Sequence, residues 1–204
     1  MSKQQTTRFQ ILLLGDGGSG KTTFLKRHRT GEFETKYIMN ISIEEIPITF
    51  QTTKGFIELI FHDTPGQTKF QNFEEISMND FDAIMIMLDL SSSKNDTKSK
   101  YIQIAEQYCP SIPIFIYGNK IDLLSFKKGN DEEIKKISCK TNYKMDDPIL
   151  DLMRFLIKDE KLELAEFVSS HFSFPEMNEE LIKKYEQELE YAMTMPLPSD
   201  DEDF

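Results

Sequence analysis

The chain encodes an α/β domain organised on a mainly parallel sheet. Two segments, residues 83–90 (AIMIMLDL) and 112–117 (IPIFIY), are apolar at nearly every position, the pattern of strands covered on both faces. Helical stretches alternate with such segments, as in successive βαβ units. A glycine-rich turn, GDGGSGKT at residues 15–22, links the first apolar run to the first helical one.

Residues 9–14 (FQILLL) form a short apolar run ending in glycines and read as a buried strand. A helix follows over residues 21–29. Residues 46–50 and 56–61 are strand-like, with a turn at Thr53, Lys54 and Gly55. The strand at 83–90 is succeeded by a helix over 101–108 and the strand at 112–117. Residues 134–138 form a further strand. Asp147 and Pro148 open a helix that runs through Ile157, with proline suited to the first helical position.

From about Asp159 charged residues dominate and strand signals fade. Met177, Leu181, Tyr185, Leu189 and Ala192 recur with helical spacing, which predicts an amphipathic helix over 176–193. Pro196 and Pro198 end it, and residues 199–204 are expected to be disordered. The organisation expected is a flexible lead (1–7), a domain (8–158) and a C-terminal linker, helix and acidic tail (159–204).

Composition narrows the function. Of 204 residues, 39% are hydrophobic and sixteen are Phe, enough for a sizeable core. The net charge of −11 argues against a direct nucleic-acid binder, whose footprint would be basic. Two cysteines, Cys109 and Cys139, fit a reducing compartment rather than a disulfide scaffold. Neither a secretory h-region, nor an apolar run of about 18 residues, nor a lipidation motif is evident, so no membrane anchor is expected. His28, His62 and His171 are too scattered for a metal site, and the methionines of AIMIMLDL read as core.

Four motifs carry chemistry. GDGGSGKT has two glycines four apart, then Lys and Thr, between a strand and a helix. The backbone N–H groups of Asp16, Gly17, Gly18, Ser19 and Gly20 and the helix start at Thr23 can cradle phosphates. Lys21 would reach the β- and γ-phosphates, and the Thr22 hydroxyl would ligate Mg²⁺. HDTPGQ, residues 62–67, ends a strand where ligands of parallel sheets bind. There Asp63 would hold Mg²⁺, the Gly66 N–H would meet the γ-phosphate, and Gln67 would orient the attacking water. GNKID, residues 118–122, follows the run IPIFIY. The Asp122 carboxylate can accept from the ring N–H and exocyclic amine of guanine, a pattern adenine lacks. Asn119 would brace the loop and the Lys120 stem would pack along the base. Ser138, Cys139 and Lys140 follow, with N–H groups that can meet the base carbonyl. An ATP-dependent kinase or ATPase is disfavoured by GNKID.

In this order the motifs resemble those of the small GTPases of the Ras superfamily, and within it most closely the Ran family of nuclear-transport GTPases. GDGGSGKTTFLKRHRTGEFETKY (15–37), DTPGQTKF (63–70), IPIFIYGNKID (112–122), ISCKTNY (137–143) and YEQELEYAMTMPLPSDDEDF (185–204) carry the resemblance. It implies a P-loop GTPase fold, with a six-stranded mainly parallel sheet flanked by helices. It implies a monomeric switch that binds GTP or GDP with Mg²⁺ and hydrolyses GTP slowly without help. Its first switch loop would be Glu34, Thr35, Lys36, Tyr37, Ile38, Met39 and Asn40, all nucleotide-contacting. Implied partners are an exchange factor, a GTPase-activating protein, importin- and exportin-type karyopherins, and Ran-binding domains that read the acidic tail. The implied location is nucleus and cytoplasm.

The chain departs from this family at several positions. Asn40 stands where the family has a Thr that completes the Mg²⁺ shell; its side-chain carbonyl can still ligate a hard cation, and Ser42 is a possible substitute. Pro65 replaces Ala in the second switch, which stiffens it and removes a donor. His62 stands where the family has Trp. The stretch from Asp122 to Ser138 is shortened, and Asp131, Glu132 and Glu133 stand near a position where the family is basic. An alternative reading follows from Asn40 and Pro65, a GTP-binding interaction protein with negligible turnover.

Overall fold

The computed structural model describes residues 6–34, 42–66, 80–92, 96–123 and 134–165. The chain divides into two units, Met1–Ala165 and Glu166–Phe204, and every described residue lies in the first. The helix expected at 176–193 and the acidic tail fall outside the described residues, as do Gln67 and residues 35–40.

Six strands form one sheet in the order β2-β3-β1-β4-β5-β6. They are β1 (Thr7–Leu14), β2 (Glu44–Thr52), β3 (Gly55–Asp63), β4 (Ala83–Asp89), β5 (Ile114–Asn119) and β6 (Lys135–Lys136). All pairs are parallel except β2 with β3. Three described helices flank the sheet: α1 (Lys21–Thr30), α2 (Thr97–Tyr108) and α3 (Asp147–Ile157).

The apolar strands are explained by cover on both faces. Successive strand residues point to opposite sides. Ile11 and Leu13 of β1, with Met85 and Met87 of β4, join Phe24 and Leu25 of α1 and Ile149, Leu152 and Met153 of α3. Leu12 and Leu14, with Ile84 and Ile86, join Tyr101 and Ala105 of α2 on the other face. Fully burying one such side chain is worth about 1.5–3 kcal/mol, so both periodicities of β1 are held by packing rather than one.

Element ends follow local chemistry. Helix α1 is closed by Gly31, whose N–H bonds Arg27 O, and carries Arg27, His28 and Arg29 in its last turn, where cations offset the helix dipole. Helix α3 begins at Asp147 with Pro148 in its first turn and buries Ile149, Leu152 and Met153, spaced three and four apart. Strand β5 starts two residues later than expected and runs on to Asn119. Pro113 has no N–H to give; its carbonyl accepts from Ile84 instead, and the ladder continues to Asp89 opposite Asn119. The strand expected over 134–138 is paired only at Lys135 and Lys136. The turn between β2 and β3 is two residues long, because Gly55 pairs with Thr52. Helix α2 starts at Thr97 rather than Tyr101, since its first turn, TKSK, has no apolar stripe to announce it.

Residues just beyond α3 continue on the sheet. Thr53 N bonds Glu163 O and Ala165 N bonds Gln51 O, so Leu164 bridges Thr52. Leu162 is fully buried and its carbonyl accepts from Arg154 Nε. Charged flanks hide this attachment in the sequence. No helix among the described residues is long and apolar enough to cross a membrane.

Candidate functional site

Strands β1, β3, β4 and β5 are parallel, so their C-terminal ends meet on one edge of the sheet. The loops that leave those ends enclose a cavity of about 520 Å³. The chain leaves β1 at Leu14 and enters α1 at Lys21, and Gly20 caps that helix with φ 101°. A Cβ at Gly20 would lie 2.2 Å from Asn119 Nδ2, so only glycine fits both the dihedral and the space. The Lys21 side chain folds back into the loop, and its Nζ donates to Gly15 O at 2.7 Å and Asp16 O at 3.1 Å. Burial lowers its pKa to about 8, opposed by the charges of Asp63 and Asp16. A desolvated ammonium among backbone carbonyls is a strong attractor for an anion.

Asp63 ends β3 and is fully buried. Its Oδ2 accepts from the Thr22 hydroxyl at 2.6 Å. Two hard oxygen donors are thus brought together at the first turn of α1. That donor set fits Mg²⁺, which keeps several waters and shares its shell with substrate phosphates. Among the described residues no cluster of three His, Cys, Asp or Glu could hold a metal alone. Beyond Asp63, the buried Thr64 hydroxyl donates to Leu13 O at 2.7 Å, which fixes the turn to the end of β1. Gly66 O then accepts from Gly17 N–H at 2.9 Å. A Cβ on Gly66 would meet Gly17 Cα at 2.2 Å. The DTPG turn therefore rests directly on the phosphate loop.

The other end of the cavity is built from GNKID and SCK. Asn119 is 2% exposed. Its Nδ2 donates to Ser19 O at 2.9 Å, and its Oδ1 accepts from Lys120 N at 2.8 Å and Cys139 N at 3.1 Å. One side chain thus ties three loops together. Lys120 takes a positive φ of 67°, and its Nζ pairs with Asp89 at 2.8 Å. That ion pair and bonds from Ser91 hold the Asp89 carboxyl below its usual value against the opposing effect of desolvation. Ser138 Oγ donates to Asp122 Oδ1 at 2.6 Å, which aims the carboxylate while leaving Oδ2 for a ligand. Burial pushes the Cys139 thiol up to about 12, so it stays neutral.

The cavity gathers Gly17, Gly18, Gly20, Lys21, Thr22 and Thr23 with Glu34, Gly66, Asn119, Lys120, Asp122, Cys139 and Lys140. All of these are expected from the sequence. Asp16, Ser19 and Ser138 stand behind the lining. Asp16 and Ser19 contribute backbone carbonyls, and the Asp16 carboxylate turns toward α2, bonding Tyr101. Glu34 pairs with Lys26 at 3.1 Å. Asn40 and Gln67 lie outside the described residues. The cavity also includes Phe33, Thr64 and Leu123, which the motif reading passed over. Phe33 and Leu123 add apolar surface to the lining. Their signal was available, since each is a large apolar residue beside a motif. Compared with known families, residues 10–148 match the model of the Ras family.

Proposed function

The chain belongs to the Ras family, and on that premise we propose that it is a guanine-nucleotide switch of the Ran type that acts in transport between nucleus and cytoplasm. Members of its family are GTPases that bind GTP or GDP with Mg²⁺. The observation that carries the reading is the cavity with Lys21 and Thr22 at one end, Thr22 backed by the buried Asp63, and Asp122, held by Ser138, at the other. Asp122 selects guanine by accepting two N–H groups, and Asn119 holds its loop. Lys21 and the loop N–H groups take the phosphates. Thr22 and Asp63 hold Mg²⁺, which supplies charge neutralisation on the phosphates when bound. Gln67 orients water for attack. Exchange factors and activating proteins control the cycle, and karyopherins with Ran-binding domains read the GTP form. The quoted stretches at 15–37 and 185–204 support the Ran-type assignment over other branches.

The test has two arms. Fluorescent GDP and GTP should bind in preference to ATP, and ATP preference would overturn the base assignment. Protein loaded with a non-hydrolysable GTP analogue should retain importin-type receptors that GDP-loaded protein releases; equal retention would remove the transport role. The close contact of Gly66 on Gly17 and Pro65 in the same turn favour a low-turnover variant of this function. Single-turnover hydrolysis, with and without a Ran-type activating protein, separates the two.

A further inference from the structure

Asp16 lies inside the phosphate loop, yet its carboxylate points to the start of α2. The Tyr101 hydroxyl donates to Asp16 Oδ1 at 3.0 Å. The Thr97 hydroxyl donates to Oδ2 at 3.4 Å, and Lys100 Nζ stands 3.4 Å from Oδ1. Tyr101 is fully buried, and Lys100 lies over its ring with Nζ 4.6 Å from the centroid. Three side chains from the first five residues of α2 therefore converge on one carboxylate of the loop. Asp16's own main chain does different work. Its carbonyl accepts from Lys21 Nζ at 3.1 Å and from Ser19 N at 3.2 Å. Its carbonyl carbon lies where a Cβ on Gly66 would approach to 2.8 Å. One residue thus joins α2 to the phosphate lysine and to the seat of the DTPG turn.

We propose that Thr97, Lys100 and Tyr101 are positioning residues for the phosphate site. Through the Asp16 carboxylate they fix the main chain that holds Lys21 and seats Gly66, and so set how slowly nucleotide leaves. This rests on reading the cavity as a guanine-nucleotide site. The three contacts are unequal. A buried hydroxyl donating to a carboxylate is a strong, charge-assisted bond. The lysine contact is long and partly exposed, where ion pairs contribute little. Tyr101 carries most of the effect and Lys100 a small part.

The test uses the full chain loaded with fluorescent GDP, chased with unlabelled GDP. Tyr101→Phe keeps the ring and removes the donor. It should speed GDP release about tenfold and shift the phosphorus resonances of bound GDP. Lys100→Met should speed release about twofold, and Lys100→Arg should restore the parent rate. A Tyr101→Phe protein with a lowered melting temperature but the parent's release rate and phosphorus spectrum would make Tyr101 a core residue only and overturn the proposal. Should that variant fail to fold, the Thr97→Val/Lys100→Met double variant decides, because both side chains are at least partly exposed. Unchanged release there also overturns it. A parent protein that holds no GDP overturns the nucleotide reading itself, and this proposal with it.

Discussion

Replacing Asn119 by Ala should cost more stability than any other single change at the site. The side chain is 2% exposed and makes hydrogen bonds to Ser19 O, Lys120 N–H and Cys139 N–H, with a longer fourth to Met87 Sδ. Each made bond contributes about 1 kcal/mol net, and each buried partner left unmade costs about 1–3 kcal/mol. Ser19 and Cys139 are both buried, so water cannot replace every bond. The truncation should therefore cost about 3–5 kcal/mol, a large share of the roughly 5–15 kcal/mol that holds a domain folded. Nucleotide affinity should fall in parallel, because the loops that carry Ser19, Lys120 and Cys139 lose their common tie. Urea unfolding of the GDP-loaded protein, read by circular dichroism, gives the first quantity and a competition titration gives the second. A loss below about 1 kcal/mol would refute the view that Asn119 is the brace of the site.

Four further changes probe other parts. Asp122→Asn keeps an oxygen to accept from Ser138 Oγ, so the loop should stay in place while guanine affinity drops at least about tenfold and xanthine nucleotides gain; an unchanged GDP affinity in competition would count against the base assignment. Gly66→Ala forces the turn off Gly17 and should slow single-turnover GTP hydrolysis about a hundredfold with GDP still bound; wild-type turnover would contradict this. Gln67→Leu should leave nucleotide binding intact and abolish stimulated phosphate release, and undiminished release would remove its assigned role. His28 packs against Phe24 and its Nε2–H donates to Met145 O, and burial holds its pKa below the usual value despite Asp146 and that bond. The unfolded chain therefore takes up this proton first as pH falls through about 6.5, so the stability His28 confers is present above that pH and lost below it. In His28→Gln the urea midpoint should fall less between pH of about 7.5 and about 5; equal falls in both proteins would disprove the assignment.

The sequence reading succeeded where one physical constraint dominates a segment. Residues 83–89 form a strand covered on both faces, and the unbroken apolar run AIMIML announces it. Asp147-Pro148 marked the start of α3 because proline both fits the first turn and forbids an earlier one. It failed where long-range contacts decide. The first turn of α2 is polar, and nothing local shows that Thr97, Lys100 and Tyr101 converge on Asp16 across more than eighty residues. The attachment of residues 163–165 to β2 is likewise made of backbone bonds, which composition does not record. At the site, motif spacing named residues that line the cavity. It named Asn119 as the brace of its own loop but not its reach to Ser19 and Cys139, which belong to two other segments.

That division bears on how a switch can work here. On the guanine-nucleotide reading proposed above, the base end of the cavity would be the same for GTP and GDP, so its bonds would add equally to both affinities and could not move an equilibrium between two states. Asn119, Ser138 and Asp122 make it rigid, which suits tight retention. Discrimination must come from groups that meet the terminal phosphate. On the proposed reading, those among the described residues would be Lys21 and the Gly17–Gly66 contact, both at the opposite end. Lys21 is held by two carbonyls and stripped of water, so it gains most from an incoming anion. The Gly66 carbonyl is engaged with Gly17 N–H, so repositioning the turn toward a γ-phosphate would break one neutral backbone bond, a difference of about 0.5–1.5 kcal/mol. A cost of that size can be offset by one charge-assisted contact to phosphate. On the guanine-nucleotide reading proposed above, the turn would be balanced finely enough for the third phosphate to tip it, while the base end would keep hold of the nucleotide throughout.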